Sequence, residues 1–131
     1  MIEMVGYNYT DRVIADFSVN GQWGATVDLS TPTSSGGSPM CCVVMSRRTK
    51  TPFWVDVEYQ MDALVSYSTR KEIEPAGPYL KARVKVDGPI PPDPEYLEIH
   101  FYPDHIEAAI SGRYGPSPPR LILNRRLPFI R

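Results

Sequence analysis

Two cysteines, Cys41 and Cys42, stand side by side in "SPMCCVVM", and the chain has no others. With the two histidines, His100 and His105, they are the residues best suited to redox or metal chemistry. Consecutive residues of a regular strand point to opposite faces, so the two thiols diverge while the strand stays regular. A disulfide between neighbours needs a distorted backbone, which Pro39 just upstream would help to supply. On the residues alone the preferred reading is two small hydrophobes, one in the core and one toward a loop or second layer.

Two Cys and two His make a zinc set in number. Structural zinc sites, however, space their cysteines a few residues apart so that both thiolates converge, which adjacent cysteines rarely do. No metal and no other cofactor is therefore expected. Asp56 and Glu58 in "FWVDVEYQM" share one strand face, a spacing that acid–base catalysis could use. On an amphipathic strand such acids are expected to be solvating groups. No strained nucleophile turn surrounds a serine or cysteine, and the chain is read as a non-enzyme.

Nucleic acid is not expected either. The net charge is −1, and Arg47-Arg48 and Arg125-Arg126 are small basic spots without interleaved aromatics. Asn8-Tyr9-Thr10 fits a glycosylation sequon, a pattern short enough to recur by chance. More telling are two tryptophans, Trp23 and Trp54, and eight tyrosines, residue types that anchor protein interfaces. Trp23, Arg47, Arg48, Arg113 and Tyr114 are the expected interface residues, and core packing is expected to absorb many of the other aromatics.

The elements that must position these residues read as strands. In "RVIADFSVNGQWGATV", Val13, Ala15, Phe17 and Val19 alternate with Ile14, Asp16, Ser18 and Asn20, the period of a strand with one buried face. Asn20-Gly21 then suits a tight hairpin, with Trp23 to Val27 returning. Ser30 to Pro39, "STPTSSGGSP", has almost nothing to bury and reads as the most mobile loop. Phe53, Val55, Val57 and Tyr59 predict a strand with Trp54, Asp56, Glu58 and Gln60 on its other face. "KARVKV" puts Ala82, Val84 and Val86 inward and reads as an edge strand guarded by its charge. Leu97, Ile99 and Phe101 lead to a turn at Pro103-Asp104, from which Ile106, Ala108 and Ile110 return. His100 falls on a sheet face and His105 beside the turn. Asp62 to Ile73 carries the weak pattern of one short helix.

A chain of 131 residues with 42% hydrophobic and 22% charged residues suits one domain, 1–131, with a core of its own. Fourteen prolines argue against long helices. The expected fold is all-β: an antiparallel sandwich or open barrel of six to eight short strands joined by Pro/Gly-rich loops. No apolar run is long enough to span a bilayer, and no leader is legible after Met1. That fits either a cytoplasmic protein or a mature segment lacking its leader.

Three segments in order, "VGYNYTDRVIADFSVNGQWG", "GGSPMCCVVM" and "LEIHFYPDHIEAAISGRYGPSPPR", resemble the bacterial family named domain of unknown function 3304. Its pattern runs Gly-x-Asn-His-Thr-Asp, Ser-Val-Asn-Gly-x-x-Gly, a Gly-rich loop into Cys-Cys-Val, then His-Phe-x-Pro-Asp-Gly. Tyr9 stands where that pattern has histidine, and His105 where it has glycine. The resemblance implies a small envelope lipoprotein or periplasmic protein of a Gram-negative bacterium. It further implies a type VI secretion immunity protein that binds and blocks a cognate effector toxin, a lipase or phospholipase being the expected kind. Membrane attachment would run only through a lipid anchor missing from this sequence. In an oxidising periplasm a Cys41–Cys42 disulfide becomes as credible as two free thiols. Occlusion by the loops Ser30 to Pro39 and Gly112 to Pro119 is the expected mechanism. An accessory protein of the secretion system and an envelope hydrolase are the rival readings.

Overall fold

A computed structural model describes residues 2–10, 12–31, 34–45, 49–65 and 71–121. Ten strands follow one another among them: β1 (Ile2–Asn8), β2 (Ile14–Val19), β3 (Gln22–Trp23), β4 (Met40–Val43), β5 (Phe53–Met61), β6 (Leu64–Val65), β7 (Glu72–Glu74), β8 (Tyr79–Val86), β9 (Pro94–Phe101) and β10 (Ile106–Gly112). No helix, long or short, occurs among the described residues; the prolines had argued only against long ones. The weak helical pattern of Asp62 to Ile73 gives way to β6 and β7, which pair with each other. Residues 66–70 of that stretch lie outside the described residues.

Eight strands form one sheet in the order β3-β2-β5-β8-β10-β9-β1-β4. Its two sides are then stitched together by the segment between β3 and β4. Val27 exchanges backbone hydrogen bonds with Ile14 of β2, at 3.0 and 2.9 Å, and bridges to Gly37. Gly36 in turn bridges to Tyr7 of β1 and accepts a bond from the Asp28 N–H at 2.8 Å. The sheet is thus nearly closed as a barrel, a form in which few strand edges remain unpaired. The Gly36–Gly37 part of the loop expected to be most mobile is what closes it. Gly36 has φ +95°, and a Cβ there would run into the Asp28 carbonyl. Only glycine suits that point.

The sheet is mixed. β1 runs parallel to β9, and β10 parallel to β8; the other pairings are antiparallel. Parallel neighbours need long connections, which is why local turn signals do not show these two pairings. β8 is also no edge strand: β5 flanks it on one side and β10 on the other. Its Lys81, Arg83 and Lys85 instead face the outer row of β5, opposite Glu58, Asp56 and Trp54.

The barrel interior holds Met4, Ile14, Phe17, Val19, Val27, Val55, Val57, Val84, Val86, Leu97, Ile99 and Phe101. Periodicity identified the inward rows of β5, β8, β9 and β10 correctly. It fails at the start of β2, where a bulge between Ile14 and Asp16 shifts the register. One extra residue on the bulged strand reverses the alternation before it. Ile14 therefore points inward with Phe17 and Val19, while Val13 and Ala15 are only half-buried. The Asn20-Gly21 turn is as expected, with φ of 50° and 85° at its two central residues.

Candidate functional site

β1 is apolar on both faces. Ile2 and Met4 enter the barrel, whereas Val5, Tyr7 and Tyr9 form a second small cluster on the outside, joined by Tyr102. The neighbouring strand β9 sends Glu98 and His100 to the same outer face, where both are almost completely buried. Their cover is the chain after β10. Its Ser117-Pro118-Pro119 run suits an extended path, since proline holds φ near the polyproline value.

This cover is held by hydrogen bonds to the polar layer beneath it. The Ser117 N–H donates to Glu98 Oε2 at 2.9 Å, and the Tyr7 hydroxyl donates to the Ser117 carbonyl. The Arg120 N–H donates to the Tyr9 hydroxyl oxygen at 2.9 Å. That hydroxyl lies 2.8 Å from His100 Nδ1, and His100 Nε2 lies 2.9 Å from Glu98 Oε1. With every donor matched to an acceptor, the network assigns His100 as the neutral Nε2–H tautomer. Tyr9 then donates to Nδ1, and Nε2–H donates to the carboxylate. The His100 ring also stacks on Tyr7, centroids 4.1 Å apart.

The electrostatics agree with that assignment. Burial pushes His100 below its ordinary value, against the opposing pull of Glu98. Burial also works to raise Glu98, but the hydrogen bonds from His100 and the Ser117 N–H outweigh it and draw the carboxyl down to about 2. Desolvation raises Tyr9 to about 12 and Tyr7 further still. A hydroxyl–imidazole–carboxylate chain has the order of a nucleophile relay. Here the hydroxyl is a phenol sealed under the cover and protonated at neutral pH, so the layer serves to anchor the segment above it.

Between β10 and the anchored Ser117 the chain makes an exposed turn. The Gly115 N–H donates to the Gly112 carbonyl at 2.8 Å, leaving Arg113 and Tyr114 at the tip. Tyr114 is 90% exposed. The Arg113 guanidinium lies over its ring, 5.0 Å from the centroid, and the Arg113 N–H donates to Asp93 Oδ2 at 3.2 Å. The tip is thus fixed at both ends and open to solvent.

Of the expected interface residues, the structure brings Arg113 and Tyr114 together. It sets Trp23 apart from them, on β3 beside β2, with β5 and β8 between it and β10 in the sheet. Arg47 and Arg48 lie outside the described residues. Asn8 of the sequon is fully buried and donates to the Arg12 and Val27 carbonyls, so it offers no glycosylation site in the folded chain. Cys41 and Cys42 are joined to each other across a cis peptide bond, in β4 beside β1. His100 and His105 do not meet them. Among the described residues no group of His, Cys, Asp and Glu is arranged to hold a metal. His105 sits in the open beside the turn and contacts Asp104 Oδ1 at 2.8 Å and Glu107 Oε2 at 2.6 Å. Those two carboxylates, Glu107 first, raise its pKa.

Sequence reasoning missed the Tyr7–Tyr9–Glu98–His100 layer. The signal was present in "EMVGYNY": apolar residues on both faces of one strand require a cover on both sides.

An all-β barrel with one polar wall sealed by the chain that follows β10 is the class of protein these observations define. The chain belongs to the family described as protein of unknown function (DUF3304), whose model matches residues 7–106. No curated protein and no solved structure matches it.

Proposed function

We propose that this domain works by binding another protein, as an immunity protein that blocks a cognate toxin in the periplasm. The observation that carries the reading is Tyr114: a large aromatic side chain 90% exposed on a turn whose flanks are tied down. Exposed aromatic and arginine pairs are the usual energetic centres of interfaces, and prior ordering lowers the entropy lost on binding. A preorganised tip suits insertion into the mouth of an enzyme's active site, where a blocking contact of about 1,600 Å² in total is typical. Association with type VI secretion, a lipase or phospholipase as the toxin, and a lipid anchor on the precursor rest on the family resemblance and belong to this proposal.

The test is a pull-down with the products of the neighbouring genes, followed by a protection assay in cells receiving the toxin. A stable stoichiometric complex and rescue are expected. Binding to a secretion component without rescue would point to the accessory role. Absence of any complex would overturn both.

A further inference from the structure

The wall formed by β2, β5 and β8 carries a second feature, away from the Arg113–Tyr114 tip. A depression of about 400 Å³ opens on its outer face, lined by Ser18, Gly21, Asp56, Glu58, Lys81 and Arg83. The register sets Asp56 opposite Arg83 and Glu58 opposite Lys81, so acceptors of β5 alternate with donors of β8 across the floor. Aromatic rings stand at both margins. On one side Trp23 packs edge-on against Tyr79, centroids 5.9 Å apart, and the Tyr79 hydroxyl donates to Asp16 Oδ2 at 2.8 Å. On the other Trp54 lies beneath the Arg83 guanidinium, 5.7 Å from its ring centroid. Trp23, Trp54 and Tyr79 are each about half exposed. Under the Trp23–Tyr79 corner the second oxygen of Asp16, Oδ1, is buried without a hydrogen-bond partner.

We propose that this depression binds a neutral oligosaccharide. Two carboxylates and two cations line it, so their charges cancel. A polyanion such as nucleic acid or a phosphate would meet Asp56 and Glu58, and a cation would meet Lys81 and Arg83. Sugar hydroxyls both donate and accept, and adjacent hydroxyls bridge a carboxylate and an ammonium with charge-assisted hydrogen bonds. The apolar faces of sugar rings pack on aromatic surface, which the half-exposed Trp23, Tyr79 and Trp54 supply. The spacing suits a chain rather than a single ring. Glu58 and Trp54 are four residues apart on β5, about 13 Å along the strand.

Both tryptophans of the chain border this site, so intrinsic fluorescence reports it without a label. The experiment titrates the intact protein with cello-, malto- and chito-oligosaccharides, and with oligogalacturonate as the charged comparator. A saturable change in tryptophan emission with at least one neutral series is expected, with half-saturation near about 1 mM, ordinary for a shallow site. Glu58→Ala and Lys81→Ala should each weaken it at least tenfold with unchanged circular dichroism, while Arg113→Ala leaves it intact. No saturable response in any neutral series would overturn the proposal. So would a response that survives both substitutions, or a tighter response to oligogalacturonate. A protein partner lost on Trp54→Ala with no response to sugars would assign the surface to protein instead.

Discussion

His100 donates from Nε2 to Glu98 Oε1 over 2.9 Å, and neither side chain is reached by solvent. This pair lies outside the barrel, in a layer that exists because the chain after β10 folds back over β9 and β1.

Acid should loosen that cover. The folded His100 pKa lies below its ordinary 6.5, so its contribution to stability is complete above 6.5 and is lost as pH falls below it. Glu98 is drawn from 4.5 to about 2, so its contribution is complete above 4.5 and is lost toward pH 2. Melting temperature is expected to be flat from neutrality to pH 10, where the exposed His105 pairs are screened by solvent, and to decline in two stages on acidification. At the alkaline end Tyr9, raised from 10 to about 12, makes stability fall once pH exceeds 10. A melting temperature constant from pH 8 down to pH 4 would refute the acid arm.

Glu98→Ala removes the acceptor of two donors, the His100 Nε2–H and the Ser117 N–H. Leaving buried donors unpaired should cost about 3 kcal/mol in chemical denaturation. Faster hydrogen exchange at Ser117 and Arg120 is expected with it. Asp56→Ala, on the exposed outer face of β5, is the control and should stay within about 0.5 kcal/mol of the parent.

Gly36→Ala tests the barrel closure. Its Cβ would enter the space of the Asp28 carbonyl at φ +95°, so the loss should exceed about 2 kcal/mol. Gly21→Ala, also at positive φ but with open space around it, should cost only about 1 kcal/mol. Equal losses in the two variants would remove Gly36–Gly37 as the closing element.

Tyr114→Ala separates folding from binding. A side chain this exposed should leave stability within about 0.5 kcal/mol of the parent. Affinity for the partner protein should fall by about 2 kcal/mol or more, roughly thirtyfold. Undiminished binding would move the interface away from the turn.

The paired cysteines have a direct readout. Protein purified without reductant should be about 2 Da lighter than its reduced form, the mass of the two thiol hydrogens. Alkylation of both thiols without prior reduction would show them free.

Alternation in "PFWVDVEYQM", "KARVKV" and "LEIHF…HIEAAI" was enough to name the strands and their inward rows, because strand side chains repeat with period two and one face must leave water. Asn20-Gly21 announced its turn for an equally local reason: both residues tolerate positive φ. Tertiary structure decided what depends on residues far apart in the chain. The parallel neighbours of β1 and β8, the bulge that turns Ile14 inward, and the use of Gly36–Gly37 as a seam have no local signature. Each is selected by fit to a distant backbone. The same holds for the polar layer. Tyr7, Tyr9, Glu98 and His100 carry ordinary surface chemistry in sequence, and only the return of Ser117 and Arg120, more than a hundred residues beyond Tyr7 and Tyr9, takes them out of water and makes their hydrogen bonds obligatory.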